Sequence, residues 1–167
     1  VNGYLEQDTL AIVFGASGAG KTFVVADLSL CVSTGHEYHG HAVEQGPVAY
    51  VSGEGNAGFS RRTAAWLIHN GVDSDDALFF KSVKGVTLAD DTIEDILREL
   101  KAIRSAAGEL KLIVFDTLDR SISGVEDSNE DVKAYLDFCD MIRNEFNCTV
   151  LVVAHVGHAA QDRAKGS

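Results

Sequence analysis

The sequence predicts an α/β fold in which a parallel sheet lies between two layers of helices. Five short apolar, β-branched runs occur along the chain, and segments with helical spacing of apolar residues separate them. The runs are continuous rather than alternating, which is typical of strands covered on both faces. Alternation of strands and helices favours parallel pairing. The length of 167 residues suits one domain, so we expect residues 1–167 to form a single unit.

The five predicted strands are short, and each is expected to be buried. They are residues 10–14 (LAIVF), 48–51 (VAYV), 78–80 (LFF), 112–115 (LIVF) and 150–153 (VLVV). Pro47, the only proline, directly precedes the second strand, where a missing N–H costs little.

Glycines delimit the first two predicted helices. The first is expected to begin between Gly18 and Thr22 and to end near Gly35. The second covers about residues 58–70, because Asn70 followed by Gly71 is a helix-stop signal.

The last two helices are predicted from apolar residues that recur on one helical face. In the third helix these are Ile93, Ile96, Leu97, Leu100 and Ile103. In the fourth they are Val132, Tyr135, Leu136, Cys139, Ile142 and Phe146, after a capping-box start at Ser128 and Asp131.

Composition and charge exclude several classes of protein. With 14 Lys+Arg against 25 Asp+Glu, the formal charge is −11, which argues against a free-standing basic nucleic-acid module but not against a local basic loop. No apolar run approaches the ~18 residues of a membrane span and no signal peptide is evident, so we expect a cytoplasmic protein without a membrane partner. The three cysteines lie among apolar neighbours and are expected to be core residues; they are Cys31, Cys139 and Cys148.

A phosphate loop is the most specific motif of the chain. Residues 15–22 read GASGAGKT and fit G-x-x-x-x-G-K-S/T without a mismatch, after a strand and at the start of a helix. Backbone N–H groups and the helix N-terminus must approach the phosphates closely, and glycines provide the clearance and the unusual dihedrals. Lys21 is predicted to reach the β- and γ-phosphates, and the Thr22 hydroxyl to ligate Mg²⁺. The expected nucleotide-binding residues are Gly15, Ala16, Ser17, Gly18, Ala19, Gly20, Lys21 and Thr22.

Asp116 is the second predicted metal ligand. It directly follows the fourth strand, and a carboxylate at that end of a strand points into the crevice where open α/β sheets bind ligands. We predict that Asp116 binds the Mg²⁺ through water, with a turn or cap role as the alternative. Asp119 is a weaker candidate that caps the turn or pairs with Arg120.

Glu54 is the predicted catalytic base. The residue after Asp116 is Thr117, so an acid is missing there, whereas Glu54 lies between glycines at the end of the second strand. A carboxylate exposed at that point can orient and deprotonate the water that attacks the γ-phosphate. A turn residue without function is the alternative.

The histidines fall into two groups. His155 ends the fifth strand and is predicted to contact the γ-phosphate or the attacking water. A zinc site at His155 and His158 would lack a nearby Cys or third His. The looser group comprises His36, Glu37, His39 and His41, for which a solvated loop is favoured over zinc.

With these residues placed, the chain resembles the RecA-like P-loop ATPases of the AAA-type phage and plasmid family, which is similar to plasmid-encoded hexameric replicative helicases. The resemblance extends over nearly the whole chain. Besides GASGAGKT, it includes residues 48–55 (V-x-Y-x-x-x-E-G), 114–121 (VFDTLDRS against D-T-L-x-R-S) and 155–167 (H-x-G-K followed by R-G-S). It implies a sheet capped by helices, ATP bound between subunits of a ring, and pore-facing loops after Asp116 and His155.

Two cations of the family pattern are changed in this chain. His158 stands where the family commonly has Lys, and Lys165 where it has Arg. In the family these cations act across a subunit interface on the γ-phosphate, as an arginine finger does. Lys is a point charge and His is mostly neutral at pH 7. The sequence therefore leaves open whether Lys165 and His158 act on the γ-phosphate of a neighbouring subunit. The candidates for trans or nucleic-acid contacts are Arg120, His158, Arg163 and Lys165.

The leading functional hypothesis is a Mg²⁺-dependent ATPase that acts as a nucleic-acid motor of the replicative helicase, translocase or loader type. Catalysis is assigned to Glu54, Lys21 and His155, and strand movement to residues 120–131 and 156–166. Each acidic subunit would make few contacts with single-stranded DNA, and a homo-oligomeric ring, for example a hexamer, would multiply them.

Two other hypotheses remain open. An ATP-binding, oligomerising scaffold or recombination mediator with little turnover is compatible with the changes at His158 and Lys165. A small-molecule kinase shares the phosphate loop but usually carries an Arg-rich lid, whereas the segment after Asp116 is acidic. Trp66 and Tyr50 are expected to pack in the core rather than stack on bases. Because the chain begins with Val and ends before the family's last strands, we also expect a fragment or a chain without C-terminal strands.

Overall fold

The computed structural model describes residues 1–52, 56–82, 90–117 and 129–155, without the side chains of residues 56, 57, 90, 129–131 and 155. Strands and helices alternate along the chain. In order they are β1 (Leu10–Gly15), α1 (Lys21–Thr34), β2 (Val48–Ser52), α2 (Asn56–Asn70), β3 (Phe79–Ser82), α3 (Asp90–Ala107), β4 (Leu112–Asp116), α4 (Asn129–Phe146) and β5 (Thr149–His155). A single turn of 3-10 helix, Ser74–Asp76, precedes β3.

The five strands form one sheet in the order β1-β5-β4-β2-β3. Each pair of neighbours is parallel, so the carboxyl ends of the strands meet at one edge. At that edge Gly15 of β1 lies opposite His155 of β5, and Ser52 of β2 lies opposite Asp116 of β4. The predicted α/β class with a parallel sheet is confirmed.

Helices cover both faces of the sheet, as the strand patterns indicated. On one face α3 and α4 pack on alternate residues of the central strands, and the buried contacts include Ile96, Leu100, Ile113, Phe115, Tyr135, Ile142 and Val152. On the other face α1 and α2 pack on the intervening residues, and the buried contacts include Val25, Leu28, Val48, Tyr50, Phe59, Val114 and Leu151. The helical faces predicted for residues 93–103 and 132–146 therefore point to the sheet.

The helix boundaries follow the sequence signals closely. Helix α1 ends at Thr34, and Gly35 adopts a left-handed φ of 77° while its N–H donates to the Cys31 carbonyl at 2.9 Å. Helix α2 ends at Asn70, before Gly71, as predicted. The capping-box residue Ser128 lies outside the described residues. None of the described helices is long and apolar enough to cross a membrane.

β1 and β3 are the edge strands of the described sheet; the prediction that each strand is buried was wrong for β1, and β3 is mostly half-buried. Within the described sheet, β1 pairs with β5 alone. Leu10 packs against the α3/α4 side, but Ile12 and Phe14, further along the same face, are 45% and 72% exposed. Strand order is a long-range property, so an edge strand and a central strand can have the same apolar run.

The cysteines are core residues, as expected. Cys31, Cys139 and Cys148 are free and buried. Burial raises the pKa of Cys31 to about 11, and those of Cys139 and Cys148 to about 12. Because thiolates are the reactive form, these three protonated thiols are unreactive at neutral pH.

Candidate nucleotide-binding site

The phosphate loop connects β1 to α1 and depends on two glycines. Gly18 and Gly20 have φ values of 75° and 84°, in the left-handed region that other residues adopt at a cost. The carbonyl of Gly20 accepts from the N–H groups of Phe23 at 2.9 Å and Val24 at 3.2 Å, which starts α1. Gly15 differs, because its φ is not positive and an added Cβ would make only an ordinary contact with Lys21, at 3.7 Å. The chain itself therefore requires glycine at 18 and 20.

Lys21 lies against this loop. Its Nζ donates to the carbonyl oxygens of Gly15 at 2.8 Å and Ala16 at 3.0 Å, and the residue is only 8% exposed. Holding the ammonium group beside the loop concentrates positive charge at the N-terminus of α1, where anions bind. This position agrees with the predicted contact to phosphates.

A cleft of about 170 Å³ lies over the start of α1. Its walls come from the phosphate loop, from α2 and from the residue after Asp116; they are Gly18, Ala19, Gly20, Lys21, Thr22, Phe23, Arg62 and Thr117. Five of the eight predicted nucleotide-binding residues, 18–22, therefore face one space. Arg62 and Thr117 were not predicted for it.

Asp116 lies at the end of β4 and is 7% exposed. Its Oδ2 accepts a hydrogen bond of 2.6 Å from the Tyr50 hydroxyl, and Tyr50 itself is fully buried. Burial, followed by the charge of Asp116, raises the pKa of Tyr50, so this hydroxyl stays protonated and donates. The core position predicted for Tyr50 is confirmed, but its contact with the carboxylate was missed.

The residues present fit a hard divalent cation such as Mg²⁺. Thr22 supplies a hydroxyl at the cleft, and Asp116 supplies a carboxylate at the same edge of the sheet. Within the described ranges there is no group of three or more His, Cys, Asp or Glu residues that could hold a metal ion. Mg²⁺ at a phosphate site needs only one or two protein oxygens together with water and phosphate oxygens, so this donor set suffices.

Arg62 and Phe23 line this cleft together with the loop. The Arg62 guanidinium carbon lies 4.3 Å from the centre of the Phe23 ring, a cation–π distance. Phe23 is 57% exposed although it is a large apolar residue. The motif ends at Thr22 and thus gave no reason to consider Phe23. Arg62 belongs to no motif, and no signal in the sequence pointed to it.

Residues 1–161 match the family model described as an AAA domain. The chain belongs to the AAA domain family. No curated protein gives a significant match to it. Membership makes this an ATP-binding domain of the ATPase type, and it agrees with a RecA-like P-loop fold in which the phosphate loop follows the first strand. The resemblance inferred from the motifs is confirmed at this level.

Several predicted site residues of the AAA domain lie outside the described residues. They are Glu54, Asp119, Arg120, His158, Arg163 and Lys165. His155 ends β5 opposite Gly15, which places its backbone beside the phosphate loop, but its side chain is not described. The roles given to these residues remain predictions.

The loop histidines of the AAA domain make contacts with α1, α2 and the N-terminal segment. His39 Nε2 lies 3.4 Å from Asp27 Oδ2 on α1. The His36 ring meets the Trp66 ring edge-on at 5.7 Å, and the His41 ring meets Tyr4 in the same way at 4.6 Å. These contacts fix the loop after α1 against the helices.

Proposed function

We propose that this AAA domain is a Mg²⁺-dependent ATP hydrolase that works as a motor on single-stranded DNA in a homo-oligomeric ring. The observation that carries the hydrolase part is the phosphate cleft itself. Two left-handed glycines, the ammonium group of Lys21 and the N-terminus of α1 converge on one space at the carboxyl edge of the sheet. Such a concentration of donors and positive charge suits a polyphosphate.

Lys21 and the loop N–H groups would bind the phosphates of ATP. Lys21 is already held at the loop by two carbonyl oxygens, so little side-chain freedom is lost when it turns to a phosphate. Its charge would stabilise the negative charge that grows on the γ-phosphate during transfer.

Thr22 and Asp116 would hold Mg²⁺, Asp116 through water. When bound, Mg²⁺ neutralises charge on the β- and γ-phosphate oxygens. The Tyr50 hydroxyl donates to Oδ2 of Asp116 and fixes the carboxylate, and Oδ1 would accept from the water on Mg²⁺. Tyr50 is therefore a positioning residue in this scheme.

Glu54 would orient and deprotonate the attacking water, and His155 would contact the γ-phosphate. Glu54 follows β2, the neighbour of β4 in the sheet, and His155 ends the strand beside the loop. This strand order supports the proposal, because it assembles the ends of β1, β5, β4 and β2 at one edge.

The motor part rests on the resemblance of the motifs to ring helicases. Arg120, His158, Arg163 and Lys165 are the candidate cations for contacts with DNA or with the γ-phosphate of a neighbouring subunit. With a formal charge of −11, a single subunit would hold a nucleic acid weakly, and a hexameric ring on replicating phage or plasmid DNA would sum these contacts. A cytoplasmic location is part of the proposal.

One observation favours a second candidate, an ATP-dependent scaffold with little turnover. His158 and Lys165 replace the Lys and Arg of the family pattern, and both are weaker substitutes for a finger that acts in trans. Such a protein would bind ATP and assemble, but it would hydrolyse ATP slowly.

Steady-state ATP hydrolysis tests the proposal, with Mg²⁺ present or chelated and with or without single-stranded DNA. Glu54→Gln keeps the shape and removes the base, so turnover should fall on the order of 10²-fold or more. Glu94→Gln is the matched control, because Glu94 is exposed on α3 in the other helical layer. Stimulation by DNA together with this loss supports the motor. ATP binding with negligible turnover in every protein would favour the scaffold, and equal turnover in wild type and Glu54→Gln would remove Glu54 as the base.

A further inference from the structure

Helix α2 presents an exposed face on the side away from the sheet. The residues of this face, here called the α2 stripe, recur at the spacing of one helical face and are all exposed; they are Arg61, Ala64, Ala65 and Ile68. Ile68 is 80% exposed, more than any other large apolar side chain that the structure describes. Phe59, on the other side of the helix, is buried against the sheet. The α2 stripe is therefore open to a partner.

The two helical layers carry charges of opposite sign. Helices α1 and α2 contain three Lys and Arg against one Asp, and α2 contains no acidic residue. Helices α3 and α4 contain ten Asp and Glu against five Lys and Arg. Because the layers lie on opposite faces of the sheet, the cationic helix of one copy can meet the acidic layer of another.

The outer face of α4 is the acidic counterpart of the α2 stripe. An open groove of about 580 Å³ lies along it, and the residues that line the groove, here called the α4 stripe, are Asp137, Asp140, Met141, Asn144 and Glu145. Met141 is 40% exposed among these polar side chains. Each stripe thus combines an exposed apolar residue with charges of one sign.

Arg61 and Asp137 are the two charges of these stripes that the chain itself leaves unmatched. Within the part of the chain that the structure describes, neither side chain has an ion pair or a hydrogen bond. Asp140 differs, because it pairs with Arg143 at 3.1 Å. Arg61 and Asp137 are therefore available to another molecule.

One parallel alignment of the two helices matches the stripes along their length. The facing residues that it gives are Arg61 with Asp137, Ala65 with Met141, and His69 with Glu145. The first pair joins opposite charges, and the third does so when the histidine is protonated. The second pair places a long apolar side chain on a small one, which allows the helix axes to approach to about 8–10 Å.

We propose that the α2 stripe binds the α4 stripe of a second copy of this chain. The stripes lie on opposite faces of one sheet, so each copy can bind one neighbour on either side, and the contact is head to tail. Contacts of this kind close into rings or extend as filaments. The inference rests on the homo-oligomeric ring of the proposed function and names the surfaces that join its subunits.

The contact should be weak and sensitive to salt. Two helices that meet along one face cover only part of the roughly 800 Å² per partner of a standard interface. An exposed ion pair such as Arg61 with Asp137 is screened by salt. Association of copies should therefore decrease as the salt concentration rises.

Sedimentation velocity of the full chain with MgATP tests the proposal. At low salt the wild type should form assemblies larger than a dimer. Arg61→Glu or Asp137→Arg should each weaken association about tenfold or more, because like charges then face each other, and the two changes combined in one chain should restore most of it. Equal weakening in the single and combined variants would overturn the proposal.

The matched control is Arg98→Glu, which makes the same change of charge at a position 72% exposed on α3. This variant should assemble as the wild type does. A loss of assembly as large as that of Arg61→Glu would assign the effect to net charge and would overturn the proposal. Circular dichroism checks that each variant is folded.

Cross-linking identifies the contact independently of charge. Cys31, Cys139 and Cys148 are buried, so cysteines introduced on the surface should react alone. Oxidation of a chain that carries both Ala65→Cys and Met141→Cys should give a ladder of dimers and larger species, whereas each single variant should stay monomeric in a denaturing gel. Dimers of the Ala65→Cys variant would show that α2 meets α2 and would contradict a head-to-tail contact.

Failure of this inference can be distinguished from failure of the proposed function. If the wild type assembles and hydrolyses ATP, but the charge variants assemble equally well and no ladder forms, other surfaces join the subunits and only the inference fails. If the wild type stays monomeric with MgATP and single-stranded DNA at low salt, the inference and the proposed ring both fail.

Discussion

The two helical layers of this AAA domain differ in what they do with their apolar residues. Helices α3 and α4 bury theirs against the sheet and pair their charges on the outside, as Lys101 does with Glu145 at 3.4 Å. Helices α1 and α2 also contact the sheet, but they leave Phe23 57% and Val24 51% exposed in the first turn of α1, next to the phosphate loop. They also bury a charged residue, Lys21.

This difference indicates a division of roles within one fold. The α3/α4 layer supplies apolar burial, at about 25 cal/mol per Å². The α1/α2 layer gives up part of that burial to keep aromatic, cationic and acidic groups accessible beside the phosphate loop. Changes in the first layer should therefore alter stability, and changes in the second should alter nucleotide binding.

The largest expected effect comes from removing the charge at the loop. Lys21→Ala should lower ATP turnover about 10²- to 10³-fold, as the loss of one transition-state donor does elsewhere. Lys101→Ala, on the exposed surface of α3, is the matched control and should keep wild-type turnover. Steady-state kinetics measures ATP turnover in both variants. Equal losses of turnover would contradict the division of roles between the two helical layers.

A smaller effect is expected when the buried Tyr50 hydroxyl, which donates to Asp116, is removed. Tyr50→Phe removes a hydrogen bond to a charged group, which contributes about 1.5–3 kcal/mol, and should weaken metal binding to the nucleotide complex about tenfold or more. Binding of Mn²⁺ measured by electron paramagnetic resonance reports this directly, apart from turnover. A Tyr50→Phe protein that loses stability but binds Mn²⁺ normally would limit Tyr50 to packing.

A third prediction concerns the α3/α4 layer. Ile142 is fully buried on α4, and Ile142→Val should cost about 0.5–1.5 kcal/mol of unfolding free energy. For a domain of this size each kcal/mol corresponds to about 2–4 °C in Tm. Thermal unfolding followed by circular dichroism measures the loss, and calorimetry should give an unchanged affinity for ATP. A changed affinity would show that this layer also shapes the site.

The effect that is smallest at neutral pH is the pH dependence from the buried thiols. The folded-state pKa of Cys139 is raised to about 12 from 9.0, so the folded protein keeps a proton that the unfolded chain loses. The stability from this group is therefore full below pH 9 and is lost as pH rises toward 12. Tm should fall across that range, and Cys139→Ala should reduce the slope while lowering Tm at pH 7. An unchanged slope would assign the loss to other groups.

The sequence predicted those features that short-range patterns determine. The helix ends at Thr34 and Asn70 follow from a glycine that directly succeeds each, and the buried faces of α3 and α4 follow from the spacing of apolar residues. The phosphate loop was predicted because its composition is dictated by backbone approach to phosphate. The family match over residues 1–161 agrees with that prediction.

Features that depend on strand order or on contacts between distant segments were not predicted. Nothing in the run of residues 10–14 shows that β1 has one neighbour instead of two. Tyr50 and Asp116 are 66 residues apart, and their contact requires β2 to lie beside β4. Trp66 packs against the α1/α2 core, as expected, but it is half-buried, and its hydrogen bond from Nε1 to Asp27 was not predicted. Arg62 lines the phosphate cleft only because α2 packs on α1.

The most direct test of the two-layer account is the increase in Tm that saturating MgATP produces in three proteins: wild type, Lys21→Ala and Ile142→Val. At about 100 times the Kd, bound ligand stabilises by about 2.7 kcal/mol, or roughly 5–10 °C here. The account predicts that Ile142→Val unfolds at a lower temperature than wild type but gains the full increase, whereas Lys21→Ala gains little or none. A full increase in Lys21→Ala, or a lost one in Ile142→Val, would contradict it.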